Sequence, residues 1–432
     1  MFLIRNARRL PRICHDAGSI RTLFISPGEE MPTLTMTDLI NKFYEILGTS
    51  KQFSMTGSDR QKLMDLLPRD RNELPARRMK DSYESAVIPI TSNSDLRDRY
   101  INSHGTVRIG RLFEDLDIFA GHCCYRHILN PKSQGMPNPY SCVTALVDSI
   151  QFKSNTISTA EDIRLSGHVS WVGRSSLEIS ILVDQKNDKG SWKPITEALF
   201  VFVARDPMNQ GAAFVNPLVG DTEEEKKFIL EGEERNKKRR VTAAESLSNK
   251  PPNAEEIEIV HKLFSGLHEH VLGNQAIVLQ PGVQRMSDWE LNTLLLCHPQ
   301  YRNRFNKIFG GFIMRQAYEI AHSTVYLYSK AKPKIVHIDD ILFRKPVEIG
   351  SLIRFNASVG YVENKHIHIP VVAEVLKPET NERSVTNVFQ FTFLSQAETP
   401  PAVILPESYL EAMRYLDARR HFKESGQLVT KR

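Results

Sequence analysis

Cysteine is scarce in this chain of 432 residues. The five that occur, Cys14, Cys123, Cys124, Cys142 and Cys297, form no C-x-x-C pair. A disulfide framework and a zinc site are therefore excluded from the expectation, and a reducing compartment fits. Long apolar runs are also missing: none approaches the roughly eighteen residues that span a bilayer. A mean hydropathy of −0.33, with 41% hydrophobic and 25% charged residues, describes a globular protein without a membrane span.

Basic charge is thin as well, once its location is considered. The net charge is +5, but residues 1–27 hold five arginines (Arg5, Arg8, Arg9, Arg12, Arg21) against one acid, Asp16. Most of the excess lies there, which argues against a nucleic-acid partner for the rest. An arginine-rich, acid-poor start with Phe2, Leu3, Ile4, Leu10 and Ile13 available for one apolar helical face reads as a mitochondrial transit peptide. The expected location is the mitochondrion, in its matrix.

What the chain does have is a repeat. NSHGTVRIGRLFEDLDI at 102–118 keeps step with NRFNKIFGGFIMRQAYE at 303–319: Asn102 falls on Asn303, Gly110 on Gly311, and Asp117 on Tyr318. Around each stretch the order is the same, one long helical pattern followed by four strand-like runs. A period near two hundred residues means a duplicated domain rather than a solenoid. The predicted fold class is α+β, with two antiparallel sheets each wrapped on one helix. The boundaries read as a leader at 1–27, a helical segment at 28–80, a first domain at 81–208, and a solvated, charged linker at 209–282. A second domain at 283–399 and a C-terminal helix and tail at 400–432 complete the chain.

The mismatch within the repeat carries the chemistry. Phe113, Asp117, Ala120 and Cys124 are spaced to share one helix face, as are Met314, Tyr318, Ala321 and Val325. Asp117 interrupts an otherwise apolar stripe, while Glu114 and Asp115 can point elsewhere. A buried carboxylate is costly unless paired or used, and desolvation raises its pKa toward that of a general base. Gly310 and Gly311 open the second helix, where bare N–H groups and the helix dipole suit a carbonyl oxygen gaining negative charge. The first copy, with Ile109-Gly110-Arg111, is less open. Asn303 and Asn102, in the loops before the helices, can hold a water or a carbonyl without titrating.

These residues resemble a known family. NRFNKIFGGFIMR at 303–315, CHPQ at 297–300, FRKPVEIGS at 343–351, RRMKDSY at 77–83 and VRIGRLFEDLD at 107–117 are similar to the mitochondrial acyl-coenzyme A thioesterases 9 and 10, over roughly residues 75–400. The resemblance implies tandem hotdog domains that pair side by side, hydrolysis of acyl-CoA without a metal or other cofactor, and assembly of such chains into a homo-oligomer. It also implies one complete site, with Asp117 as general base or nucleophile and Asn303 positioning the water. Gly310 and Gly311 would polarise the thioester carbonyl. Asn102, Gly110 and Tyr318 would form a degenerate second site. Arg174, Lys307, Arg344 and Lys345 are the candidate partners for the phosphates of coenzyme A.

Two other functions remain open on sequence grounds. One is a hotdog hydratase or dehydratase, for which His104, His122 and His127 lie near the first helix. The other is a non-catalytic acyl-CoA-binding or scaffold protein, against which the cost of Asp117 argues. Cys297-His298 is discounted as a nucleophile pair, since neighbours on a strand face opposite ways.

Overall fold

The computed structural model describes residues 33–47, 57–133, 136, 138–148, 150–152, 157–186, 190–244, 247, 250–272, 279, 281–303, 307–339 and 341–429. The transit peptide expected at 1–27 lies outside them. In chain order the elements that position the site begin with helix α1 (Met36–Leu47), strand β1 (Glu84–Ile88) and the long helix α2 (Ile109–His127). Then come β2 (Ser141–Val147), β3 (Ile150–Gln151), β4 (Ile163–Val172), β5 (Ser176–Lys186), β6 (Trp192–Arg205) and helices α3 (Glu223–Ala244) and α4 (Ala254–Leu272). The second copy contributes β7 (Glu290–Leu296), helix α5 (Gly310–Ser329), β8 (Pro333–Ile338), β9 (Ile341–Phe343) and β10 (Leu352–Ser358). It continues through β11 (Tyr361–Glu363), β12 (His366–Lys377) and β13 (Glu382–Ser395), and helix α6 (Tyr409–Val429) follows.

Among the described residues the two sheets merge into one of 14 strands, whose main path starts at the short edge strand Leu34–Thr35 and runs on through β1-β4-β5-β6-β2-β9-β13-β12-β10-β7. The order on one side of the seam mirrors the other. At the seam Ile341 pairs with Val147 and Ile338 pairs with Ile150, the same contact with the copies exchanged. This sets VDSI at 147–150 over IDDI at 338–341. A register shift lies just before each break, between Thr144 and Leu146 and between Ile335 and His337. The tandem hotdog architecture is thus present, with α2 and α5 lying against each other inside the wrap.

Helix α2 is buried all round: only Arg111, Ile118 and Arg126 escape burial. It is the core helix of its unit rather than an amphipathic surface helix. That corrects the expectation that Glu114 and Asp115 point away from the interior. Both are buried and held by ion pairs, Glu114 to Arg111 and to Arg315 at 3.2 Å, and Asp115 to Arg111 at 3.6 Å.

The segment at 209–282 is not a solvated linker along its whole length. Helix α3 folds back over the outer face of the first sheet, where Arg235 meets the fully buried Glu178 at 2.6 Å. Arg239 reaches the same carboxylate at 2.5 Å and Asp148 at 3.1 Å. This cover explains why β5 is buried along almost its whole length rather than on alternate residues. Helix α6 covers the second sheet in the same way, with His421 Nδ1 on Asp339 Oδ2 at 2.5 Å. Some helix is expected in this charged connector; its docking on the sheet is not, because the anchoring contacts of Arg235 and Arg239 are ionic and leave little apolar periodicity to read.

Two smaller differences are local. MSDWELNTL at 286–294 reads as one strand, but its first four residues form a 3-10 turn and β7 starts only at Glu290; the helical reading of 403–424 gives way at its start to a short strand, Val403–Leu405.

Candidate active site

Asp117 lies in the N-terminal half of α2, opposite the first turn of α5. Its Oδ2 accepts the Gly311 N–H at 2.8 Å and its Oδ1 accepts the Thr144 hydroxyl at 2.7 Å. Gly311 is required by packing: a Cβ there would fall 2.8 Å from Glu114 Cα and 2.9 Å from Asp117 Cβ. Only a bare backbone lets the start of α5 approach α2 closely enough to hold the carboxylate. The N-terminal end of the helix dipole also favours negative charge at that spot.

Three acids cluster on this stretch of α2, and their partners separate them. Asp115 has Arg111 and the Tyr100 hydroxyl; burial pushes its pKa up to about 6 against their pull. Glu114 is paired with two arginines. Asp117, 4% exposed, has hydrogen bonds but no ion pair among the described residues. Burial raises its pKa above the ordinary carboxylate value. The Thr144 and Gly311 hydrogen bonds oppose that rise, and the charge of Glu114 adds to it. A carboxylate so placed is a stronger base than one in water.

A cavity of about 490 Å³ opens on Asp117 and is also lined by Thr144, Asn303 and Gly310. The structure therefore brings Asp117 from one repeat together with Asn303 from the other. The Asn303 backbone N–H reaches the Lys307 carbonyl at 2.7 Å, and its Oδ1 accepts the Lys307 N–H at 3.1 Å, so the residue shapes the loop that carries it. Asn102 forms the equivalent turn with Thr106, at 2.9 Å for the backbone pair.

Gly310 and Gly311 divide their work. Gly310 lines the cavity, whereas the Gly311 amide is committed to Asp117 rather than open toward a substrate carbonyl. Of the four cations singled out in the sequence, Lys307, Arg344 and Lys345 line the cavity. Lys307 is ion-paired with Glu348, while Arg344 and Lys345 are exposed. Arg174 does not join them: it sits in the turn between β4 and β5, its guanidinium over the Phe214 ring at 4.8 Å.

Sequence reading missed two residues. Arg205, at the end of β6, lines the cavity and donates to the Asn209 carbonyl at 3.1 Å. Thr144 holds Asp117, and a signal for it existed. Once VDSI is set over IDDI, Thr144 stands over Ile335, a polar group over an apolar one, just as Asp117 stands over Tyr318.

The second position is filled. Tyr318 is buried edge-on to Phe113 at 5.7 Å and packs against Phe391 and Phe393. Gly110 lies against Tyr318 and Arg315, and Arg315 is engaged with Glu114 and with Glu319 at 3.1 Å. Tyr318 and Ile335 stand in place of the acid and the hydroxyl, so this half does not repeat the arrangement of the other.

The three imidazoles noted in the sequence lie elsewhere. His122 pairs with Glu84 at 3.3 Å, His127 meets the Asn216 carbonyl at 3.0 Å, and His104 lies tilted against His322 at 6.2 Å and edge-on to Tyr326 at 5.6 Å; none of the three lines the cavity.

Comparison with known proteins gives long matches, although no family profile matches the chain. It is 40% identical over 395 residues to the mouse protein called acyl-coenzyme A thioesterase 9, mitochondrial, covering 90% of this chain and 89% of that one. The mouse acyl-coenzyme A thioesterase 10, mitochondrial, is 40% identical over 394 residues, with 90% and 89% covered. A hop (Humulus lupulus) protein, acyl-coenzyme A thioesterase 4, mitochondrial, is 33% identical over 371 residues, with 81% and 68% covered.

Proposed function

Since the chain belongs to the family of mitochondrial acyl-coenzyme A thioesterases 9 and 10, we propose a mechanism in which one site per chain, built on Asp117 and shared by the two repeats, hydrolyses acyl-CoA to the free acid and coenzyme A. The observation that supports it most is the buried Asp117 carboxylate, which has no ion pair among the described residues, is held by Thr144 and Gly311, and opens on a cavity that Asn303 also lines.

Asp117 acts as general base. A water oriented by Asn303 attacks the thioester carbonyl carbon while Asp117 takes its proton. The tetrahedral intermediate then expels the sulfur, and that proton passes to the departing thiolate. The negative oxygen of the intermediate forms beside the first turn of α5, where Gly310 and the helix dipole favour it. Lys307, Arg344 and Lys345 at the cavity receive the phosphates of coenzyme A. A hydratase reading is not favoured, because none of the cavity-lining residues is a histidine.

Single-turnover hydrolysis in heavy-oxygen water tests the base role: label appears in the released acid and never in Asp117. Label in the Asp117 carboxylate would instead establish attack by Asp117 and an anhydride. Location in the mitochondrial matrix and assembly into a homo-oligomer belong to the same proposal. A fluorescent fusion of the N-terminal segment and light scattering of the purified chain test them. Among the described residues no helix is long and apolar enough to cross a membrane.

A further inference from the structure

The cavity continues past the chemistry. Gly121 and Tyr125 line it one and two turns further along α2, roughly 6 and 12 Å of axial rise beyond Asp117. Phe202 and Cys142 supply the facing sheet wall. Most of the polar and basic groups, Asn303, Lys307, Arg344 and Lys345, come from the second repeat; Arg205, which pairs with Ser141 next to Cys142, is the exception. A thioester carbonyl placed at Asp117 with its phosphates on the basic side sends the acyl tail along α2, away from α5.

The residue met there belongs to neither repeat. Phe43 comes from α1 and also lines the cavity. Its ring is edge-on to Tyr125 at 5.9 Å and to His122 at 6.3 Å. Gly121 gives it room: a Cβ at that position would fall 3.2 Å from Phe43 Cζ. The helix that carries Phe43 is itself fixed. Met36, Leu39 and Phe43 are buried on one face, the Thr35 hydroxyl accepts the Asp38 N–H at 3.1 Å, and Leu34 pairs with Ala86 at the sheet edge.

We propose that Phe43 is the stop of the acyl pocket, so that the segment preceding the first repeat sets the longest acyl chain accepted. The proposal rests on the acyl-CoA reading above. An apolar ring closing an apolar channel excludes any methylene that would have to occupy its volume. Removing it lets further methylenes leave water.

The test uses the full chain and straight-chain acyl-CoAs from acetyl to palmitoyl, with coenzyme A release followed by a thiol reagent. Phe43→Ala is expected to raise the ratio of long-chain to short-chain kcat/KM by about fourfold for each additional methylene accommodated. Phe43→Trp and Gly121→Ala, which crowd the same point from opposite sides, lower that ratio. If Phe43→Ala does not fold, Phe43→Leu takes its place. Profiles that stay parallel to wild type in folded variants overturn the proposal. If the wild type releases no coenzyme A from any substrate, the hydrolysis reading falls. Calorimetric binding of the same acyl-CoA series then decides Phe43 by itself, the same shift supporting it and parallel affinities overturning it.

Discussion

Replacing Asp117 with asparagine separates chemistry from folding, because the substitution keeps shape and removes only charge and basicity. The amide oxygen of the new side chain can accept the Gly311 N–H that now bonds at 2.8 Å, and the Thr144 hydroxyl can turn to accept from the amide nitrogen. The local geometry therefore survives. Loss of a general base lowers kcat by roughly a hundred- to ten-thousandfold, about 3–5 kcal/mol of transition-state stabilisation.

The stability expectation has the opposite sign. The folded state raises the Asp117 pKa, mainly through burial, so the native protein holds that proton more tightly than the unfolded chain does. The ionised group costs folding free energy that grows as pH rises through the folded pKa, and is absent below the unfolded one. A neutral amide at this position carries no such cost. The variant should melt no lower than wild type, and higher on the alkaline side. Thiol-release kinetics and thermal melts across pH measure both effects. Turnover that stays near wild type in a folded Asp117→Asn protein refutes the assignment. A melting point that collapses equally at every pH refutes the claim that the carboxylate is held at a cost.

Other expectations follow from the same geometry. Thr144→Val removes a hydrogen bond to a carboxylate, and kcat should fall by about ten- to a hundredfold. Because that bond lowers the Asp117 pKa, the acid limb of the pH–rate profile should move to higher pH, which a purely structural role for Thr144 would not produce. Tyr318→Asp should create no second site, since Ile335 supplies no hydroxyl, and should destabilise the fold by about 3 kcal/mol or more through lost packing and a buried unpaired acid; a rise in turnover per chain would show otherwise. Arg239→Met strands part of the charge on Glu178 and Asp148, and denaturant unfolding should report a loss of about 3–5 kcal/mol, whereas a solvated α3 would show almost none.

The duplication was legible because core residues recur at fixed spacing: Gly110 with Gly311, and the helix pattern with its four strands, stand out without any fold. The Asp117–Asn303 pairing was named from the family resemblance, and only side-by-side domains put these residues, 186 positions apart, on one cavity. Thr144 was missed because its partner lies 27 residues away on another element, and a lone threonine in a strand carries no local signal. Arg174 was singled out as a candidate for the phosphates of coenzyme A, but residue type does not say where a side chain comes to rest. Glu114 and Asp115 misled for a related reason. A helix read alone has a wet side, and α2 keeps only the narrow half-buried stripe of Arg111, Ile118 and Arg126 because the sheet and α5 surround the rest.

Local pattern and pairwise identity were enough to establish the family, the repeated helix-and-sheet unit and the asymmetry of Asp117 against Tyr318. These depend on residue type and on spacing along the chain, which need no third dimension. The placement of Phe43 on the cavity wall, the commitment of the Gly311 amide to Asp117, and the folding of α3 over Glu178 needed the tertiary structure. Each is a contact between distant segments whose free energy depends on distance and solvent exclusion, quantities that exist only once the chain has packed.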